Sequence, residues 1–176
     1  SSAVCNPVML GEDGNVLLVT GSNMAGKSTY LKSIGLNVAL ANAGGPVCAK
    51  GFRWTPVEIH SDMNVRDSLD DGKSYFQVEV ERVRTAITRA ESTPRVLAVF
   101  DELFRGTNST ERVALARAIL RHLRSTGALV VVATHDASLT RLVTEEHEPG
   151  MINVHFRESV EGRDMRFDYR LREGPA

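Results

Sequence analysis

The chain has 176 residues, 42% of them hydrophobic and 24% charged, with 21 Lys+Arg against 22 Asp+Glu and a formal net charge of −1. That length suits one domain with a core large enough to need no staples, and the composition excludes collagen, disordered chains and disulfide scaffolds. So small a net charge gives no global field to draw in a polyanion, and a nucleic-acid role would need a local patch or another part of the protein.

Cys5 and Cys48 form no CxxC pair, which argues against a zinc site or redox couple and fits a reducing, cytoplasmic compartment. No apolar run reaches the ~20 residues of a membrane helix. The chain begins without Met and carries no signal peptide, so residues 1–176 are expected to be a single domain cut from a longer protein.

Asn15 to Thr20 is a short apolar run with the character of a buried parallel strand. A helix follows from Ser28 to Ala43, with Leu31, Ile34, Val38 and Ala41 on one face and Gly44-Gly45-Pro46 as its stop. Val47–Ala49 and Trp54–Ser61 have strand character, the second broken or at an edge because of Pro56. Asp67 to Lys73 is a polar loop. Ser74-x-x-Gln77 then has capping-box spacing and opens a helix with the stripe Phe76, Val80, Val83 and Ile87. Arg95–Phe100 is a second buried strand running into Asp101-Glu102. A helix over Thr110–Arg124 carries Val113, Ala116, Leu120 and Leu123, and Gly127 closes it. Ala128–Ala133 is a third buried strand, ending in Thr134-His135-Asp136 before a short helix over Ala137–Thr144. Ile152–Phe156 and Met165–Leu171 form a hairpin around Glu161-Gly162, with Phe167, Tyr169 and Leu171 alternating as in a half-buried strand. Strands alternating with helices imply an α/β domain with a mainly parallel sheet.

Gly21-Ser22-Asn23-Met24-Ala25-Gly26-Lys27-Ser28 matches GxxxxGK[ST] in full and lies between a predicted strand and a predicted helix. Glycines let backbone amides turn inward as an anion nest, and a helix N-terminus adds partial positive charge. Lys27 reaches the β- and γ-phosphates, and the Ser28 hydroxyl binds Mg²⁺. Asp101, at the carboxyl end of its strand, is placed to hold Mg²⁺, and Glu102 to orient the attacking water. His135 ends the third strand; it either senses the γ-phosphate or is a surface histidine beside Asp136. Ser74 is either a helix cap only or part of a second phosphate site that completes another subunit's pocket.

Together these motifs resemble the ATPase domain of the MutS family of DNA mismatch-repair proteins, in a divergent branch, from about Asn6 to Leu171. The Asn23-Met24 pair within Thr20–Tyr30 is the most specific part of the match. Asp71–Glu79 resembles the family's Gly-x-Ser-x-Phe-x-x-Glu segment, Asp101–Thr107 its Walker B and following loop, and Ala133-Thr134-His135 its switch-histidine segment. The chain departs from the family in having Phe104-Arg-Gly-Thr-Asn-Ser109, and Glu111-Arg112 where Asp-Gly is usual. It also shows no adenine-stacking aromatic near Val4-Cys5-Asn6.

The resemblance implies an ABC-type P-loop ATPase fold, a mainly parallel sheet flanked by helices with an antiparallel strand pair. It implies Mg²⁺-dependent ATP hydrolysis in an ATP-favoured homodimer with composite sites. Residues Gly21 to Thr29 would cradle the phosphates, Ser28 and Asp101 would position Mg²⁺, and Lys27, Glu102 and His135 would be catalytic. Ser74 would act in trans. DNA would be bound through other domains, with repair or recombination proteins as further partners. Two rival readings are an ABC transporter or SMC-type ATPase, against which no LSGGQ-like run precedes Asp101, and a nucleotide-gated clamp without turnover. A GTPase is disfavoured because no Asn-Lys-x-Asp motif occurs.

Overall fold

The computed structural model describes residues 3–11, 14–22, 24–63, 75–93, 95–104, 108–161 and 164–175. Ten elements follow in chain order: β1 (Val16–Thr20), α1 (Lys27–Asn42), β2 (Glu58–Asp62), α2 (Tyr75–Ser92), β3 (Val96–Asp101), α3 (Ser109–Ser125), β4 (Leu129–Ala133), α4 (Ala137–Thr144), β5 (Met151–Glu161) and β6 (Asp164–Glu173). One six-stranded sheet runs in the order β2-β3-β4-β1-β5-β6. The first five strands of that order are mutually parallel, and β6 returns antiparallel to β5.

The expected ABC-type P-loop ATPase fold is therefore corrected to a small α/β domain built on one mixed sheet. That expectation came from motif resemblance, which carries no strand order. The C-terminal hairpin is the reason the sheet is mixed. A tight antiparallel return adds β6 to the edge of the same sheet without the crossover a parallel strand needs.

Successive strand side chains point to opposite faces, and both faces of the sheet are covered. Val16, Leu18, Val96, Ala98, Phe100, Val130 and Val132 face α2, α3 and α4, whose Val83, Ala86, Leu120, Leu123 and Leu142 complete one core. Leu17, Val19, Leu97, Val99, Val131 and Ala133 face α1, meeting Tyr30, Leu31 and Ile34. Two-sided burial is why β1, β3 and β4 are continuous apolar runs rather than alternating ones.

Three sequence expectations change. Residues 47–49 form no strand, and β2 begins only at Glu58, after Pro56 has passed. The buried stripe of α2 is Glu79, Val83, Ala86 and Ala90, while Phe76 and Val80 are exposed. The helix is rotated because the Glu79 carboxylate turns inward to accept the Phe104 backbone N–H, and Ala86 and Ala90 allow close approach to the sheet. Finally, Phe167 and Leu171 pack on the core while Tyr169 between them is exposed, with φ +55°. The register passes from Phe156 opposite Leu171 to Glu158 opposite Phe167, so residues 168–170 form a bulge.

The edge strand β2 is shielded by ion pairs from α2: Arg82 meets Asp62 at 2.9 Å and Arg89 meets Glu58 at 2.6 Å. At the other end of the chain, Asp136 caps α4, accepting from the Ser138 amide at 3.0 Å, and also pairs with Arg112 at 3.2 Å. Burial pushes the Asp136 carboxyl up, but the Ser138 hydroxyl and amide and the Arg112 guanidinium outweigh it and hold it below the usual aspartate range. A carboxyl lowered in the folded state stabilises fully above its unfolded pKa, and that contribution disappears as pH falls through the folded value. Asp136→Ala is expected to cost about 0.5–2 kcal/mol at pH 7. In denaturant melts the gap from wild type should narrow as pH is lowered from about 5 towards 2.

Candidate functional site

The parallel pairing puts the carboxyl ends of β1, β3 and β4 at one edge of the sheet. Backbone bonds stitch what leaves them: the Thr134 N–H donates to Val19 O at 3.0 Å, and the Glu102 N–H donates to Ala133 O at 3.0 Å. The loop after β1, the acid pair after β3 and the histidine after β4 are therefore neighbours by topology.

Gly21 has φ +134°, and a Cβ there would lie 2.6 Å from the Phe156 carbonyl oxygen, so only glycine fits between the loop and β5. Gly26 is the N-cap of α1 in left-handed conformation at φ +106°, with no side-chain cap. The opening amides of α1 thus lack the usual Ser, Thr or Asp oxygen. Met24 is exposed with φ +72°, Ala25 is buried, Ser22 and Ser28 are half-buried, and Thr29 is exposed. Asn23 lies outside the described residues, as does Ser74.

Lys27 is the first residue of α1 and is buried. Its ammonium folds back on the loop, donating to Gly21 O at 2.6 Å and Ser22 O at 2.9 Å. Desolvation lowers its pKa, and the charges of Glu102, Asp101 and Glu158 oppose that fall. The acid pair and the lysine therefore share one electrostatic environment.

Asp101 closes β3 and is buried. Glu102 follows at φ +65° and Phe104 at φ +59°. Two non-glycine residues in left-handed conformation within three positions carry strain of order 1–3 kcal/mol each. The turn is held by the buried side chains of Leu103 and Phe104, by Glu79 on the Phe104 amide and by the Glu102–Ala133 backbone bond. Glu102 Oε1 lies 2.8 Å from His135 Nδ1, and His135 remains half exposed. His135 thus partners Glu102 rather than Asp136, whose carboxylate goes to Ser138 and Arg112.

Among the described residues, no three His, Cys, Asp or Glu side chains form a group able to hold a metal by themselves. The Ser28 hydroxyl and the Asp101 carboxylate are oxygen donors of the type that could hold Mg²⁺, an ion that keeps several waters and binds substrate phosphates.

Sequence reasoning missed three residues at this edge. Glu79 had no role assigned, although a glutamate at i relative to Val83, Ala86 and Ala90 lies on a helical stripe. Tyr169 stands beside the loop, its ring 3.3 Å from where a Gly26 Cβ would be, and it stacks on Phe167 with centroids 6.1 Å apart. Glu158 accepts a hydrogen bond from the Ser22 hydroxyl. Contacts made across the hairpin depend on its bulge, and no local pattern announces them.

Among the described residues no helix is long and apolar enough to cross a membrane. Residues 17–176 match the family model described as MutS domain V. The fold of this chain is accordingly that of a small α/β domain with a mixed sheet, which replaces the ABC-type class expected above. Over 173 residues, 97% of this chain, it is 35% identical to a DNA mismatch repair protein MutS from Streptococcus equi subsp. equi (strain 4047). The aligned stretch covers 20% of that relative, so the chain spans about a fifth of its length. With a family model over most of its length and this identity, the chain belongs to the MutS family.

Proposed function

We propose that the chain binds ATP with Mg²⁺ at residues 21–29 and hydrolyses it to ADP and phosphate, as the nucleotide-responsive part of a MutS-family DNA mismatch-repair or DNA-processing protein. One observation carries this reading. Lys27, the Gly21–Gly26 loop, the Asp101–Glu102 pair and His135 meet at a single sheet edge, on elements separated by up to about a hundred residues of chain.

The donor set suits a polyphosphate. An uncapped helix start and a loop built on two left-handed glycines supply backbone amides. The Lys27 ammonium rests on the loop's own carbonyls and is free to exchange them for phosphate oxygens at the cost of two neutral acceptors. Ser28 and Asp101 would hold Mg²⁺, which supplies charge neutralisation when bound. Glu102 is the base candidate. Its partner His135 fixes the carboxylate's direction before substrate arrives, which is positioning rather than covalent chemistry. The exposed Tyr169 ring beside Gly26 offers an apolar face to a base.

Dimerisation, with Ser74 reaching the partner's nucleotide, and DNA binding through other domains belong to the same proposal. Family membership favours it over the transporter and SMC-type readings. The clamp without turnover is the second reading, because a Glu102 carboxylate engaged by His135 is compatible with a resting, nucleotide-sensing state.

Lys27→Ala is expected to weaken ATP binding about 10- to 100-fold in calorimetry, the loss of charge-assisted hydrogen bonds. Glu102→Gln should leave affinity within about threefold of wild type yet lower phosphate release by about 100-fold or more. If turnover persists in that variant, Glu102 is not the base; if wild type binds ATP without releasing phosphate, the clamp reading replaces hydrolysis. Ser74→Ala should spare ATP binding to the monomer and weaken ATP-dependent association in sedimentation velocity. Unchanged association removes the trans role.

A further inference from the structure

The loop at residues 21–26 is pressed against the hairpin as well as against the sheet. The absent Cβ of Gly21 lets the loop lie on the Phe156 carbonyl, so the two backbones are in contact. Two residues further along β5, the Glu158 carboxylate takes the hydrogen of the Ser22 hydroxyl. The Ser22 carbonyl meanwhile receives Lys27. One loop residue thus has an acid on its side chain and the ammonium on its backbone.

The hairpin is fixed in that position rather than draped there. Asn6 clamps the β6 bulge from both sides, its Nδ2 donating to Tyr169 O at 2.9 Å and its Oδ1 accepting from the Leu171 N–H at 2.8 Å. Asp168 closes the bulge, accepting from the Arg170 N–H at 3.0 Å and pairing with Arg172 at 2.6 Å. Glu158 sits opposite Phe167, at the mouth of this bulge. Its charge is one of the three that act on Lys27.

We propose that Glu158 is an affinity-setting residue of the phosphate loop: its carboxylate, held by the Ser22 hydroxyl, opposes entry of a polyphosphate and has to be displaced or tolerated when nucleotide binds. The inference rests on the reading of residues 21–29 as the phosphate site and adds a residue to it. Glu158 acts by charge on the ligand and not by donating to it, since an ionised carboxylate has only acceptors and a phosphate oxygen offers none of the donors it needs. Like charges at short range repel, and the repulsion grows with the number of phosphates and shrinks with salt. The hairpin that carries Glu158 also carries Tyr169 beside Gly26, so the loop meets the hairpin at Phe156, Glu158 and Tyr169.

The test is calorimetric titration of the protein with ATP and ADP, comparing wild type with Glu158→Gln, Glu158→Ala and Lys27→Ala, each shown by thermal melting to be folded. Gln keeps an acceptor for Ser22 and removes the charge; Ala removes both. Both Glu158 variants are expected to bind ATP at least about threefold more tightly than wild type at low salt, with a smaller gain for ADP. The gain should vanish near 1 M salt, where the Debye length is about 3 Å. Should Gln leave affinity unchanged and Ala weaken it, Glu158 is a tether for the loop and the proposal is overturned. Equal affinities in all three proteins, with Lys27→Ala defective, overturn it as well. ATP binding that survives Lys27→Ala undiminished instead sinks the phosphate-loop reading itself.

Discussion

Everything at the candidate site depends on β1 being hydrogen-bonded in parallel between β4 and β5. Parallel strands all point their carboxyl ends the same way, and ligands of open α/β sheets gather at that edge. The Val19–Thr134 and Ala133–Glu102 backbone bonds extend the ladder past the last regular residues, so the loops leave the sheet already aligned. No side-chain interaction at the site would have a fixed partner without this registration. Its energetic support is the two-sided core, in which alternate residues of the same strands serve α1 on one face and α2 to α4 on the other. Neither layer alone would hold β1, β3 and β4 in register, because each strand has half its side chains facing the other layer.

The turn after β3 shows how that rigidity is used. A left-handed glutamate followed two residues later by a left-handed phenylalanine is an unfavourable backbone, and it persists because buried groups over-determine it. Phe104 is buried, and its amide is satisfied by Glu79 from α2. A buried carboxylate is costly in itself. Here it replaces what would otherwise be an unsatisfied amide beneath the turn, and it binds α2 to the strand that carries Asp101. The outcome is a Glu102 side chain aimed at His135 rather than at solvent. Helix α2 begins at Tyr75, and its contacts with the Phe104 turn include the Glu79 hydrogen bond and the Phe76–Phe104 ring pair with centroids 6.1 Å apart.

How much of this was legible in the sequence follows from the range of each signal. The strands β1, β3 and β4 were readable because two-sided burial writes itself as an uninterrupted apolar run, and the α3 stripe because its 3.6 period is clean: Ala116, Leu120 and Leu123 are all buried. Residues 21–28, 101–102 and 135 stand out in the sequence because their chemistry is local, a glycine spacing or an acid at a strand end. What escaped depends on tertiary context. The rotation of α2 followed from a single long-range capture of Glu79, which overrides the apolar pull of Phe76 and Val80. The β6 bulge inverts Tyr169 relative to the alternation Phe167, Tyr169, Leu171, and it is pinned by Asn6, 163 residues away. The ABC-type class failed because it rested on motifs, which specify loops and not the sheet that carries them.

The charge balance of the site constrains what it can accept. One buried ammonium faces three carboxylates, those of Asp101, Glu102 and Glu158. Desolvation favours the neutral form of Lys27 and outweighs the surrounding acids, which oppose that shift. Counting Lys27 and the three acids that act on it, a polyphosphate arriving alone would meet more negative than positive side-chain charge, set against backbone amides and the α1 dipole, about half an elementary charge. If nucleotide binds at residues 21–29 as proposed, positive charge would enter with the ligand or a carboxylate would retreat. Ser28 and Asp101 would offer the donors for a divalent cation, and the hairpin-borne Glu158, opposite Phe167 in the ladder and held by the Ser22 hydroxyl, is the acid beside the loop. On the proposed nucleotide reading, the same acid excess that acts on Lys27 would favour a metal-complexed anion over a bare one.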